Sequence, residues 1–268
     1  AQVKRMLADP KVQGLVKNFT GQWLQVRDVE SVPINARAVL GQTATRNRDG
    51  SRIEFDGPMR RSMRNETELC FDHVLQQDRS VLELLDSDYT FLNGPLARIY
   101  GLENSVSGPA MRRVQLADAN RGGILGMPGV LATTSFPNRT SPVKRGVWVL
   151  EQVLGEKVPP PPPNVPALEK QDQKSVAHLT LRQRTELHRT EAVCANCHKI
   201  LDPIGFGLEN FDAIGRWRDR DDTGGAIEPA GELPGGKRFT APKDLKAIIA
   251  GRPEDLARNF TEKFLAYA

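Results

Sequence analysis

Apolar side chains recur every three or four residues at the start of the chain, through Val3, Met6 and Leu7 and then Val12, Leu15, Val16, Phe19, Trp23 and Leu24. That spacing marks one face of an amphipathic helix. Asp9-Pro10 divides it into two helices, with Pro10 suited to a first helical turn. Residues 27–56, rich in Arg, Asp, Asn and Gly, carry no period and predict irregular chain. A long helix is predicted from about Pro58 to Gln77, with Met59, Met63, Leu69, Cys70, His73 and Val74 on its buried side. Ser80-Val81-Leu82-Glu83 has capping-box spacing and predicts a short helix. Tyr89 to Tyr100 predicts another, ended by Gly101.

The pattern changes after a loop at 103–112. Gly122-Gly123-Ile124-Leu125-Gly126-Met127-Pro128-Gly129 is a Gly/Pro-punctuated turn before a short apolar stretch. Ser141-Pro142 supplies an N-cap and a first-turn proline for a helix running to Leu154, which Gly155 stops. Pro159 to Pro163 predict a rigid polyproline II rod, read as a stiff surface connector in preference to a docking site for a partner. Thr180 to His188 is helical, with Thr180 and Gln183 in capping-box register. A Gly-rich stretch from 223 to 239 reads as a β-hairpin, and helices follow from near Pro242 and Pro253. Strand signals are scarce. The expectation is a mainly α protein: a helical region over 1–118, a second region over 119–222 with its polyproline connector, and a small hairpin with helices over 223–268.

Composition narrows the function. Of 268 residues, 39% are hydrophobic and 26% charged, which suffices for a core and excludes a disordered chain. The net charge is only +4, with acids and bases interspersed, so no nucleic-acid footprint is expected. No apolar run approaches the roughly 18 residues of a membrane span, and no transmembrane segment is expected. Both ends, Ala1 to Leu7 and Phe264 to Ala268, read as interior helix without a signal-peptide core, so a piece of a longer chain is expected. Three cysteines exclude a disulfide-rich scaffold.

Two of those cysteines carry the chemistry. Cys194-Ala195-Asn196-Cys197-His198 has the Cys-x-x-Cys-His spacing of covalent haem attachment. Two thiols three positions apart lie on one side of a helical turn and add to the two vinyl groups of a porphyrin, and His198 then reaches the iron as proximal ligand, so 119–222 is expected to be a cytochrome c-like haem-binding region. A redox dithiol requires a βαβ setting, and no strand is predicted before the motif. A zinc site requires four ligands, and the only other cysteine, Cys70, lies far upstream.

Longer motifs surround this one: Arg121-Gly122-Gly123-Ile124-Leu125, Thr140-Ser141-Pro142-Val143-Lys144-Arg145-Gly146, Asp202-Pro203-Ile204-Gly205-Phe206 and Glu209-Asn210-Phe211-Asp212-Ala213-Ile214-Gly215-Arg216-Trp217-Arg218. With Gly21-Gln22-Trp23-Leu24, Asp88-Tyr89-Thr90-Phe91-Leu92-Asn93, Leu154-Gly155 and the proline run before Asn164-Val165-Pro166, they make nearly the whole chain resemble the large planctomycete-type multidomain c-type cytochromes. The resemblance implies an exported protein extending beyond both ends seen here, in some members with a second haem domain. It supplies no reaction.

Candidate sixth ligands are Met6, Met59, Met63, Met111, Met127, His73, His178 and His188. Met127 is preferred, because Gly126, Pro128 and Gly129 let a loop present a side chain close to a cofactor. Arg216, Trp217, Arg218 and Arg139, with Lys144, are candidate partners for the haem propionates. Pro203, Ile204, Phe206 and Phe211 are candidate haem-edge packing. Asp219, Asp221 and Asp222 lack the bidentate Glu of a calcium loop. The leading expectation is electron transfer through one covalent haem c outside the cytoplasm. Its partners would be redox proteins or other subunits of a respiratory or photosynthetic complex. The alternatives are a peroxidase-like oxidoreductase with an open distal site and a structural or docking subunit of a larger redox complex.

Overall fold

The computed structural model describes residues 2–40, 53–160, 179–188 and 192–268, without the side chains of 188, 192–194 and 196. The expectations for 41–52, for the prolines at 161–163 and for His178 fall outside that set, as do the side chains of His188 and Cys194.

Helices dominate. Helix α1 spans Gln2–Leu7 and α2 Val12–Trp23, separated at Pro10 as the apolar period requires. The stretch expected to be irregular contains a 3₁₀ turn at Val26–Glu30 and a short α3 at Ala36–Leu40. The long α4 runs over Gly57–Gln76, and the Asp56 side chain caps it by accepting from the Met59 amide at 2.9 Å. Its buried side carries Met59, Met63, Cys70, Phe71 and Val74, and also the polar Ser62, Glu66 and Thr67, whereas Leu69 and His73 are half-buried. Helix α5 is a single turn at Glu83–Asp86. Ser80 does not form a full capping box there, because the Glu83 carboxylate turns instead to Arg79 and the Tyr89 hydroxyl.

One predicted helix is corrected. Residues Tyr89–Leu92 form strand β1, antiparallel to β2 at Arg112–Gln115, with Tyr89 opposite Gln115. The helical expectation for Tyr89 to Tyr100 holds only for its second half, α6 at Gly94–Tyr100. Asn93 separates the two, accepting from the Leu96 amide at 3.1 Å as N-cap. Aromatic and β-branched residues in Tyr89-Thr90-Phe91 favour the pleated surface once β2 supplies a partner.

Helix α7 (Pro128–Thr133) leads to α8 (Pro142–Trp148), capped by the Ser141 hydroxyl as its Ser-Pro start predicts. The expected helix to Leu154 changes hydrogen-bond pattern on the way, becoming a π-helical turn at Val149–Leu154 before Gly155 ends it at φ 71°. Helix α9 is Leu181–His188, and the Thr180–Gln183 box closes reciprocally, at 2.9 and 3.2 Å. Helix α10, Ala192–Phe206, carries the cysteine motif. The hairpin of β3 (Gly231–Leu233) and β4 (Lys237–Phe239), then α11 (Pro242–Ala250) and α12 (Pro253–Tyr267), follow as expected. No helix among the described residues is long and apolar enough to cross a membrane.

Two apolar cores share α4, one at its C-terminal half through Cys70, Phe71 and Val74 and the other at its N-terminal half through Met59 and Met63. One gathers Phe19, Trp23, Phe71, Leu125, Met127, Trp148, Ile204 and Phe211, and the other Val29, Met59, Met63, Leu96, Ile99 and Ile214. Phe19 alone stands 5.2–5.6 Å from the rings of Trp23, Phe71, Phe260, Phe264 and Tyr267, so the first and last long helices share one aromatic cluster.

The tightest contact is α8 against α10. A Cβ on Gly205 would meet the Pro142 carbonyl oxygen at 2.0 Å, and one on Gly146 the Leu201 carbonyl oxygen at 2.3 Å. Both obstacles are backbone, so Gly205→Ala should cost about 3 kcal/mol of unfolding free energy. By contrast, a Cβ on Gly14, exposed in the interior of α2, meets nothing within 4 Å. Gly14→Ala should stabilise by about 1 kcal/mol. Urea unfolding midpoints of the two variants are expected to move in opposite directions with unchanged slope.

Glu66 gives the N-terminal region a pH dependence. Burial pushes its carboxyl from 4.5 up to about 7, and hydrogen bonds from Thr90 (2.5 Å) and Tyr100, together with Arg121, offset this only in part. The fold favours the protonated acid. Its contribution is therefore greatest below pH 4.5 and is lost as pH rises to about 7, by about 3 kcal/mol. Glu66→Gln should remove that slope, so the variant gains stability relative to wild type between pH 5 and about 7, read by chemical denaturation across pH.

Candidate functional site

The cysteine motif occupies the first half of α10, and its residues divide between two faces of the helix. Cys197, Ile200 and Ile204 follow one face, and His198, Asp202 and Phe206 the next. Cys197 and Ile200 pack partly buried on the larger core. Beside this face, Ile200 and Ile204 line a cavity of about 470 Å³ with Leu150, Leu154, Leu233 and Ile249, and Lys237 and Arg252 stand at its edge.

On the other face, His198 Nδ1 lies 2.9 Å from Asp202 Oδ1. The imidazole is 15% exposed and the carboxylate 0%. Both come from one helix at (i, i+4), so the backbone fixes their approach. A carboxylate only accepts, which puts a proton on Nδ1; in the neutral imidazole the lone pair is then on Nε2. That is the tautomer a metal-bound histidine adopts when a carboxylate orients it from behind. The donor set therefore fits a haem: two thiols three residues apart on one helix, then an imidazole whose iron-binding nitrogen carries a lone pair. Cys194, Cys197 and His198 would hold it, and the group would supply one-electron chemistry at its iron.

The second half of the motif region serves the fold. Arg145, on α8, is 1% exposed and donates to the carbonyls of Leu208 (2.7 Å), Phe211 (2.7 Å) and Asp212 (2.9 Å). It also pairs with Glu209 at 3.3 Å. Burial lowers its pKa to about 10, with Glu209 opposing the shift. Arg121 reaches the same loop from the other side, donating to Gly215 O at 2.7 Å between the rings of Tyr100 and Phe211. Asp212 closes the loop by accepting from the Ile214 and Arg216 amides, both at 2.9 Å.

These contacts define what the predicted ligand-contacting residues do. Arg218 donates to Glu209 (3.1 Å), Thr140 (3.1 Å) and Asp222 (3.0 Å), and so belongs to the Arg145 network. Arg216 pairs with Asp212 at 3.2 Å. Trp217 stacks edge-on against Phe211 at 5.4 Å and donates to Asp219 at 3.0 Å. Arg139 covers the Phe136 ring at 4.4 Å and bonds Thr140 O, with Lys144 over the same ring. Pro203, Ile204 and Phe206 lie within α10, and Ile204 and Phe211 within the larger core.

Met127 is 1% exposed at the start of α7, in the apolar core that Cys197 also touches. Its helix packs on α4, whereas α10 packs on α8 and β3. Met59 and Met63 are core residues of α4, and His73 rests edge-on against Tyr89 at 5.1 Å. Asp221 is consumed by the Thr223 and Gly225 amides, the Thr223 hydroxyl and the Leu181 amide, which makes the 219–225 segment an aspartate-closed turn. No group of three or more His, Cys, Asp or Glu side chains placed to hold a metal ion stands among the described residues.

Sequence reasoning missed Arg145 and Asp202 as site-shaping residues. The (i, i+4) spacing of His198 and Asp202 was the available signal for one, and for Arg145 there was none.

Residues 121–221 match the family model PSCyt3, described as a protein of unknown function (DUF1588). Residues 1–102 match PSD4, likewise described as a protein of unknown function (DUF1592). Both are planctomycete-type, cytochrome-associated domains. Neither the curated proteins nor the solved structures contain a match.

Arg145→Lys keeps the charge but loses the planar fork that reaches three carbonyls. Unsatisfied buried carbonyls cost about 1–3 kcal/mol each. Arg145→Lys should therefore lower the unfolding free energy by at least about 2 kcal/mol, measured by denaturant titration.

Proposed function

We propose that this chain is the haem-bearing part of an exported c-type cytochrome and passes single electrons between protein partners. The observation that carries the reading is Cys194, Cys197 and His198 on one helix, with His198 held by the buried Asp202 in the tautomer that ligates iron. The cytochrome-associated family models support it. Thioether attachment takes place outside the cytoplasm, which is where this reading locates the protein. An apolar cavity stands beside Ile200 and Ile204, further along the helix from Cys197, and burial of the macrocycle would help set the potential.

The sixth ligand separates electron transfer from catalysis. A side chain on the distal position gives a carrier, and an open position gives a haem oxidoreductase of the peroxidase type. Met127 is the proposed ligand, and its packing in the core gives it a second role that burial alone explains.

Optical spectra of protein produced in an oxidising, haem-attaching compartment test the reading. We expect a c-type reduced spectrum that survives acidified-acetone extraction, low-spin bands insensitive to carbon monoxide, and loss of all haem from Cys194→Ser/Cys197→Ser. Rapid carbon monoxide binding by wild type would assign an open catalytic site instead. Extraction of all colour from wild type would end the covalent-haem reading. Met127→Ala should make the iron bind carbon monoxide; a variant that only loses about 2–5 kcal/mol of stability makes Met127 a packing residue.

A further inference from the structure

Asp202 is a fully buried carboxylate whose Oδ1 stands 2.9 Å from the His198 imidazole. The larger core needs no charge at this point, since Leu201, Ile204 and Phe206 beside it are apolar and buried. Arg145 and Arg218 are engaged by Glu209, Asp212 and Asp222. His198 is also the residue that the Cys-x-x-Cys-His spacing assigns to iron. The two side chains are one helical turn apart, and α10 is fixed by backbone contact with α8 through Gly205, three residues beyond Asp202. The distance of 2.9 Å is therefore set by the fold.

We propose that Asp202 is a positioning residue that orients His198 for the iron and holds the haem's reduction potential low. The proposal rests on the haem reading above. The reaction concerned is one-electron reduction of ferric to ferrous haem, the electron coming from a partner protein in the cell or a small redox mediator in the test. The ferric state carries one more positive charge. A buried anion hydrogen-bonded to the ligand favours that state, because the interior screens it poorly, and makes the imidazole a stronger donor. A neutral amide at the same position keeps a hydrogen-bond acceptor and loses the charge.

The experiment is a mediated potentiometric titration of the haem-loaded full chain as wild type, Asp202→Asn and Asp202→Glu. Asp202→Asn should shift the reduction equilibrium at least tenfold toward the ferrous state, about 59 mV upward. Asp202→Glu should return it most of the way to wild type. A merely structural aspartate would lower stability without this charge-dependent order. Haem-loaded Asp202→Asn with a potential unchanged from wild type overturns the proposal and leaves the haem reading intact, whereas wild type without covalent haem overturns both. Should Asp202→Asn fail to fold, reduced wild type labelled with ¹⁵N-histidine decides. A slowly exchanging proton on His198 Nδ1 supports the proposal, and an unprotonated Nδ1 overturns it.

Discussion

Backbone contact between α8 and α10 is the constraint on which the candidate site depends. Two glycines, Gly146 and Gly205, let the helices meet with carbonyl oxygens where any side chain would stand. Such an approach strands polar groups where α10 ends, and Arg145 answers them with hydrogen bonds to the carbonyls of Leu208, Phe211 and Asp212. Glu209 and Arg218 complete the network, and Thr140 joins it from the segment before α8. The result is a helix held rigidly at its C-terminal half while its N-terminal half presents the cysteine motif.

That clasp is joined to the rest of the chain through carbonyls and rings. The π-helical turn after α8 leaves the Gln152 carbonyl to accept from Trp23 Nε1 at 2.8 Å and Asn259 Nδ2 at 2.7 Å. Trp148 returns a bond to Leu24 O at 3.1 Å. Extra backbone in a helix of this kind is common where a fold must reach a special contact. Here it ties the first and last long helices to the strand of chain that bears Arg145. Arg121 performs the same service for the 211–217 loop, between the rings of Tyr100 and Phe211.

Much of the architecture was legible in the sequence because local signals and tertiary packing agree there. The Asp9-Pro10 break, the Thr180–Gln183 box, the Ser141-Pro142 start and the 223–239 hairpin all follow from capping and turn chemistry. Tyr89–Leu92 misled, since its apolar spacing suits a helix and only pairing with β2, some twenty residues away, makes it a strand. The Cys194–Cys197–His198 spacing was legible in the sequence, and the fold sets it on one helix, α10. Arg218 and Arg216 look like anion partners in sequence, and in the fold they pair with Glu209 and Asp212 from the same loop. A buried ion network and a propionate site use identical residue types, so the network itself was not legible in the sequence.

The central claim is that Cys194 and Cys197 are thioether-bonded to one haem. Mass spectrometry of the tryptic peptide from Thr190 to Lys199 addresses it most directly, after alkylation of all accessible thiols in denatured protein from an exporting host. The account predicts a peptide heavier by one haem with neither cysteine alkylated. A peptide of unmodified backbone mass carrying two alkyl groups would contradict it.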